Sequence, residues 1–286
     1  MAYTLPNTGI IRPWDVSKNR YIHRRAKLTV GGSGKGGGTT GTASDVVDIP
    51  CPGRLIAVSY GAPNTSESRA VGAALTGGTL TIKAETTAGV SIYADSGLDS
   101  VTTTPPRAVG TTAKDEGNAA TAATDGFSGG FPVRSGVHLA IASGTDTEVL
   151  IVDLYFRLCT WVKLELVAQS GADGTGAVTR LVRLGNAGVL AAIAVDYQNM
   201  PATTDLVISA DGASGNVLFT NTSSVTDLAP TLLGAPGFDE AGGASAATDG
   251  TECGLAFQGA LYFDVAQADI FTSSNEKIVI ECWIDD

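Results

Sequence analysis

Apolar side chains recur at every second position through much of this chain. Ile56, Val58 and Tyr60 keep that step, as do Leu80 and Ile82, then Ile193, Val195 and Tyr197, then Leu206 and Ile208. A period of two places one row of side chains on a core and the other row away from it, so these runs predict strands. The strongest runs are 147–158 and 275–284, where Leu150, Val152, Leu154 and Phe156 match Ile278, Ile280, Cys282 and Ile284 in turn on one face. On the second row of the first run stand Val149, Ile151, Asp153 and Tyr155. That row is more apolar than its later counterpart, so Val149, Ile151 and Tyr155 are expected to meet another domain or another subunit.

The pattern is stated twice. A-V-S-Y at 57–60 returns as A-V-D-Y at 194–197, and L-T-I-K-A-E at 80–85 returns as L-V-I-S-A-D at 206–211. Both of the latter runs lead into a glycine-bearing connection, 85–89 and 211–215, which reads as a hairpin. The stretches 100–126 and 224–250 align without a gap, sharing Pro106 with Pro230, Gly110 with Gly234, Glu116 with Glu240, and A-A-T-D-G around Asp125 and Asp249. Equal length and shared punctuation favour structured, contact-making excursions, with Pro106, Arg107, Asp125, Pro230 and Asp249 as candidate partner-binding residues. Two copies are too few for a solenoid, whose repeats share one core. The fold expected is all-β: two tandem antiparallel β-sandwich or jelly-roll domains, 26–160 and 161–286, related by internal duplication and preceded by an extended arm, 1–25.

Composition supports strands and turns over helices, with 36 glycines and only 16% charged residues. The net charge of −11 argues against nucleic acid as a partner. It is unevenly spread. Residues 1–27 carry six cationic side chains against Asp15, a net of +5, which leaves −16 on the rest. A basic leader containing Arg12, Trp14, Arg20, Tyr21, Arg24 and Arg25 is suited to lie on an acidic partner or on a neighbouring copy. No run approaches the ~18 apolar residues of a membrane span, and the leader has no signal-peptide core. The expectation is a chain made in a cytoplasm and not inserted in a membrane.

Candidate chemistry is sparse. G-S-G-K-G-G at 32–37 and G-F-S-G-G at 126–130 fit a dinucleotide motif and a nucleophile elbow by letter, but the first lacks a following helix and an acidic residue at the right distance, and the second has turn-like flanks in place of a strand and a helix. His23 and His138 form no pair or triad. The four cysteines have no metal-ligand spacing, and Cys159 and Cys282 end apolar runs as expected of buried thiols. The reading is no catalytic, cofactor-binding or metal-binding residue, and no enzyme.

The segment A-V-D-Y-Q-N-M-P-A-T-T-D-L-V-I at 194–208, the S-V-T-D run at 224–227 and the closing strand 278–283 resemble a type of tailed-bacteriophage head protein. The resemblance covers most of 161–286, and 53–158 more loosely. It implies a capsid-associated decoration or cement protein of β-sandwich fold on the virion surface, often a homotrimer, with the major capsid protein as its partner. Two other roles fit the same residues: a shell-forming double-jelly-roll major capsid protein, and a carbohydrate-binding module of a tail or adhesion device.

Overall fold

A computed structural model of the chain describes residues 9–11, 20–31, 40–61, 78–96, 98, 107–108, 130–145, 148–169, 171–222, 227–235, 252–253, 255–273 and 276–285. These contain 21 strands. They are β1 (Gly9–Ile11), β2 (Tyr21–Thr29), β3 (Thr40–Asp48), β4 (Gly53–Gly61), β5 (Thr79–Ala84), β6 (Ser91–Asp95), β7 (Arg107–Ala108), β8 (Phe131–Val133), β9 (Gly136–Thr145) and β10 (Val149–Leu158). The second half adds β11 (Thr160–Leu166), β12 (Gly176–Arg183), β13 (Gly188–Asp196), β14 (Asp205–Ala210), β15 (Val217–Asn221), β16 (Leu228–Leu232), β17 (Gly234–Ala235), β18 (Glu252–Cys253), β19 (Leu255–Phe257), β20 (Ala260–Ala268) and β21 (Ile278–Asp285). Contacts group the chain into two compact units that part between Leu158 and Cys159, with Thr4–Asp15 and Gly110–Pro132 counted in the second.

Each unit holds two main antiparallel sheets with the same strand order in both, and β17 and β18 form a further two-stranded sheet. In the first unit the orders are β2-β10-β4-β7 and β3-β9-β5-β6. In the second they are β11-β21-β13-β16 and β12-β20-β14-β15. Numbering the eight main strands of either unit from one to eight, the sheets read 1-8-3-6 and 2-7-4-5, which is the jelly-roll arrangement. The all-β tandem fold expected from the periodicity is the fold observed. In the second unit the core is filled from both sheets, by Val162, Leu164, Ile193, Val195, Ile280 and Cys282 on one side and Leu206, Ile208, Phe219, Phe263 and Val265 on the other.

The duplication extends to backbone detail. Glu85 and Asp211 follow β5 and β14 with φ of 60° each, and Ser143 and Gln267 repeat a left-handed residue at 60° and 56° within β9 and β20. The Glu85 carboxylate accepts N–H bonds from Arg134 and Ser135. The Asp211 carboxylate accepts those of Gln258, Gly259 and Ala260 at 2.8–3.0 Å. Each acid therefore ties its hairpin to the start of the seventh strand. Those N–H donors, Gln258 first, hold the Asp211 carboxyl below the ordinary carboxylate range. Buried tyrosines link the two sheets. Tyr60 donates to the Asp95 carboxylate and shares a 2.9 Å bond with the Tyr93 hydroxyl. Tyr197 accepts from the Asn221 amide at 2.8 Å, at the matching place.

Three expectations need correction. Of the expected arm 1–25, the described parts lie in sheets: Gly9–Ile11 pairs with Lys163–Trp161 of β11, and Tyr21–Arg25 form the first half of β2, paired with β10. Removing 1–25 would cut through a sheet. Second, Ile56 does not keep step with Val58 and Tyr60. A bulge on β4 opposite Tyr155 and Phe156 puts Leu55, fully buried, in the inward row instead. Third, matching Leu150 to Ile278 is two residues out. Val58 pairs with Leu154 and Val195 with Ile280, so the equivalence is Leu154 to Ile280. The two long excursions, expected to be structured, hold β7 in one and β16 and β17 in the other. Most of 100–126 and 236–250 lies outside the described residues.

The hairpin glycines are sterically required. A Cβ on Gly215 would lie 1.5 Å from the Ala210 carbonyl oxygen, and one on Gly89 1.7 Å from that of Ala84. Gly215→Ala is expected to cost about 2–4 kcal/mol. Gly259→Ala, where a Cβ meets nothing within 4 Å, should leave stability within about 0.5 kcal/mol of the parent. Denaturant melts of the two variants check this; equal midpoints would contradict it.

Candidate functional site: an outward basic face

The alternation Tyr21, His23, Arg25, Lys27, Thr29 runs along β2, each exposed, while Ala26 and Leu28 turn inward and are buried. Antiparallel pairing sets this row directly against the outward row of β10: Tyr21 against Arg157, His23 against Tyr155, Arg25 against Asp153, Lys27 against Ile151, and Thr29 against Val149. Cross-strand partners on one face stand close enough to interact, and three of these five pairs do so through side-chain contacts. The Arg157 guanidinium lies over the Tyr21 ring, 5.9 Å from its centroid. His23 stacks on Tyr155 with ring centroids 5.1 Å apart. Arg25 donates twice to Asp153, Nε to Oδ1 at 2.5 Å and Nη2 to Oδ2 at 3.0 Å. His23 Nε2 sits 2.8 Å from Asp153 Oδ1, a contact that needs the proton on Nε2.

Asp153 is the electrostatic centre of this row. Burial alone would raise its carboxyl, but hydrogen bonds and charge from Arg25 and then His23 outweigh that and hold it below the usual value. The charge sum of the row is three cations, Arg25, Lys27 and Arg157, against one carboxylate.

The same rows in the second unit have another character. Trp161 pairs with Trp283 and Lys163 with Glu281. Both tryptophans are fully buried. Lys163 lies 3.9 Å from Glu281, and Lys277 donates to Glu165 at 3.0 Å, so each cation there has a carboxylate. Identical backbone topology thus supports a basic, aromatic, open row in one unit and a charge-balanced, closed one in the other.

Of the residues singled out from sequence, Tyr21, Arg25 and Tyr155 come together on this face. Val149 and Ile151 share its rows but are buried at 8% and 6% exposure. Arg24 points to the opposite side of β2, where its Nε donates to the Asp48 carbonyl. Arg20 immediately precedes β2, and its carbonyl accepts from the Leu158 N–H. Arg107 lies in β7, opposite Val58, and Pro230 lies in β16. Arg12, Trp14, Pro106, Asp125 and Asp249 are outside the described residues. His23, Lys27, Asp153 and Arg157 were not singled out. Their signal was the period-two spacing of Tyr21, His23, Arg25 and Lys27, which treating 1–25 as an arm concealed. Among the described residues no group of three or more His, Cys, Asp or Glu side chains is placed to hold a metal ion, and Cys51, Cys159 and Cys282 are buried.

Asp153→Asn is expected to lower stability at neutral pH by about 1 kcal/mol, the scale of a partly screened pair. The sign of its pH dependence follows from the depressed carboxyl. Its contribution is present above the unfolded value near pH 4 and is lost as pH falls through the folded value. The variant should therefore lose part of the parent's acid-side decline. Melts from about pH 7 to pH 3 would show it, and parallel curves would contradict it.

No protein-family model and no curated protein matches the chain. It is similar in structure to the STIV MCP, at 8% identity over 93% of this chain and 96% of that one, with a TM-score of 0.24. PBCV-1 VP54 gives 8% identity, 93% of each chain and a TM-score of 0.25. The major capsid protein P2 from bacteriophage PM2 gives 10% identity, 92% of this chain, 97% of that one and a TM-score of 0.23. These superpositions are loose, and the strand order described above rests on this chain's own hydrogen-bond register.

Proposed function

We propose that the chain is a non-enzymatic structural protein of a virus shell, and that it forms the shell itself as a tandem-jelly-roll subunit. The observation that carries this reading is the repetition of one strand order and one set of turn devices in two units of a single chain. A shell is closed by repeating lateral contacts around symmetry axes, and a chain offering two near-equivalent sandwiches supplies such contacts with fewer distinct parts. A homotrimer, the state implied by the sequence resemblance, would set six sandwiches about one axis. The way the acidic groups are used supports the reading. Glu85, Asp211, Asp153 and Glu276 are all engaged by backbone N–H groups, hydroxyls or cations that fix strands and turns.

A second reading is that of a decoration or cement protein bound to a separate major capsid protein. What favours it is the +5 leader ahead of a body of −16, which suits docking on an acidic lattice. In either case the excursions bearing Pro106, Arg107, Asp125, Pro230 and Asp249 reach neighbouring subunits.

Expression of the chain without any other viral protein, followed by electron microscopy, tests the proposal. Shells, sheets or discrete capsomers are expected. A chain that stays dispersed by itself yet coats preformed heads would favour the decoration reading. A chain that does neither would overturn both.

A further inference from the structure

We propose that the outward row of the first unit's larger sheet is a docking surface for the acidic body of a second copy of this chain. The inference rests on the shell role proposed above and deepens it by naming the contact. Its core is Tyr21, His23, Arg25, Lys27, Tyr155 and Arg157, set opposite one another in register on β2 and β10.

Three features point to a protein partner. The first is composition: tyrosine and arginine are the residues that carry binding energy at protein interfaces, and both stand on the outward rows of β2 and β10. The second is preorganisation. Arg157 is held over Tyr21, His23 is stacked on Tyr155, and Arg25 is forked onto Asp153, so little side-chain freedom remains to be lost on docking. Tyr21 is nonetheless 56% exposed, and His23 and Arg25 are 46% and 37% exposed at the side chain. The third is the contrast with the second unit, where the corresponding cations are matched one for one by carboxylates and the aromatic residues are buried. Divergence from a common module left a net positive row in one copy only.

Charge decides which partner fits. Outside residues 1–27 the chain sums to −16, so every copy carries the complement of this row in its own body. A nucleic acid is a poorer match. Three cations would neutralise few phosphates, and the acidic remainder would repel the rest of the strand. Single contacts of this kind are weak and salt-sensitive, as suits an assembly that multiplies them.

The test uses the full chain in sedimentation velocity at about 0.05 M and about 1 M salt, where the Debye length falls from beyond 10 Å to about 3 Å. Wild-type association should weaken as salt rises. The double variant Lys27→Glu with Arg157→Glu should associate at least about tenfold more weakly at low salt while melting at the parent temperature. Lys27→Gln with Tyr21→Ala, which leaves the Asp153 cluster untouched, should show a smaller loss in the same direction and guards against a folding artefact. If the wild type assembles and both variants match it, this face is not the contact and the shell role survives. If the wild type is monomeric at every salt concentration, the shell role fails and this inference with it. Binding of wild type to anionic phospholipid vesicles or to a single-stranded oligonucleotide, with no self-association, would also overturn the assignment.

Discussion

The register of one strand in each unit governs the rest of the structure. β10 runs between β2 and β4, and β21 runs between β11 and β13, each paired on both sides over most of its length. Side chains alternate with period two, so sliding either strand by one residue would turn its buried row outward. On β10 such a slip would expose Leu150, Val152, Leu154, Phe156 and Leu158, all at 2% exposure or less. Each is worth about 1.5–3 kcal/mol when buried, so the slipped register cannot compete. The outward row is fixed by the same constraint. In that register Tyr155 meets His23 and Asp153 meets Arg25.

Hairpins and sheet-to-sheet links then set the module's shape. An acidic residue in a left-handed conformation ends the fourth strand in both units and gathers N–H groups from the segment before the seventh. Left-handed backbone is unfavourable for residues with a side chain, so its recurrence at the same place marks a device inherited by both copies. The tyrosine tie shows how far the copies have drifted. Tyr60 engages a carboxylate and a second phenol, while Tyr197 engages one amide. In both cases burial is the main cause that raises the phenol's pKa, so the hydroxyl stays protonated.

Against this shared scaffold, the outward rows are where the units differ. Backbone hydrogen bonds maintain a sheet whatever its outer face carries, so that face is free to change once the inner one is packed. The first unit carries cations and exposed rings there, and the second carries balanced pairs and buried indoles. A duplicated fold with unequal surfaces suits the assembling subunit proposed above. One half keeps the geometry that the other half also has, and each presents a different outer row.

Much of this was present in the linear pattern. Alternating apolar residues at 80–82, 193–197 and 206–208, and the repeated hairpin glycines, determined that the chain is all-β and built twice, because strand period and turn stereochemistry are local properties. The buried face of the last strand in each half was legible for the same reason. What the tertiary structure alone decided is partnership across long separations. A bulge beside Ile56 has no local signature, since it arises from fitting β4 to a strand about 100 residues away. Tyr21, His23, Arg25 and Lys27 could be read as a basic leader or as one face of a strand. Only pairing with β10, more than 120 residues later, made them a surface, because hydrogen bonds between distant segments determine which rows of side chains come to share a face.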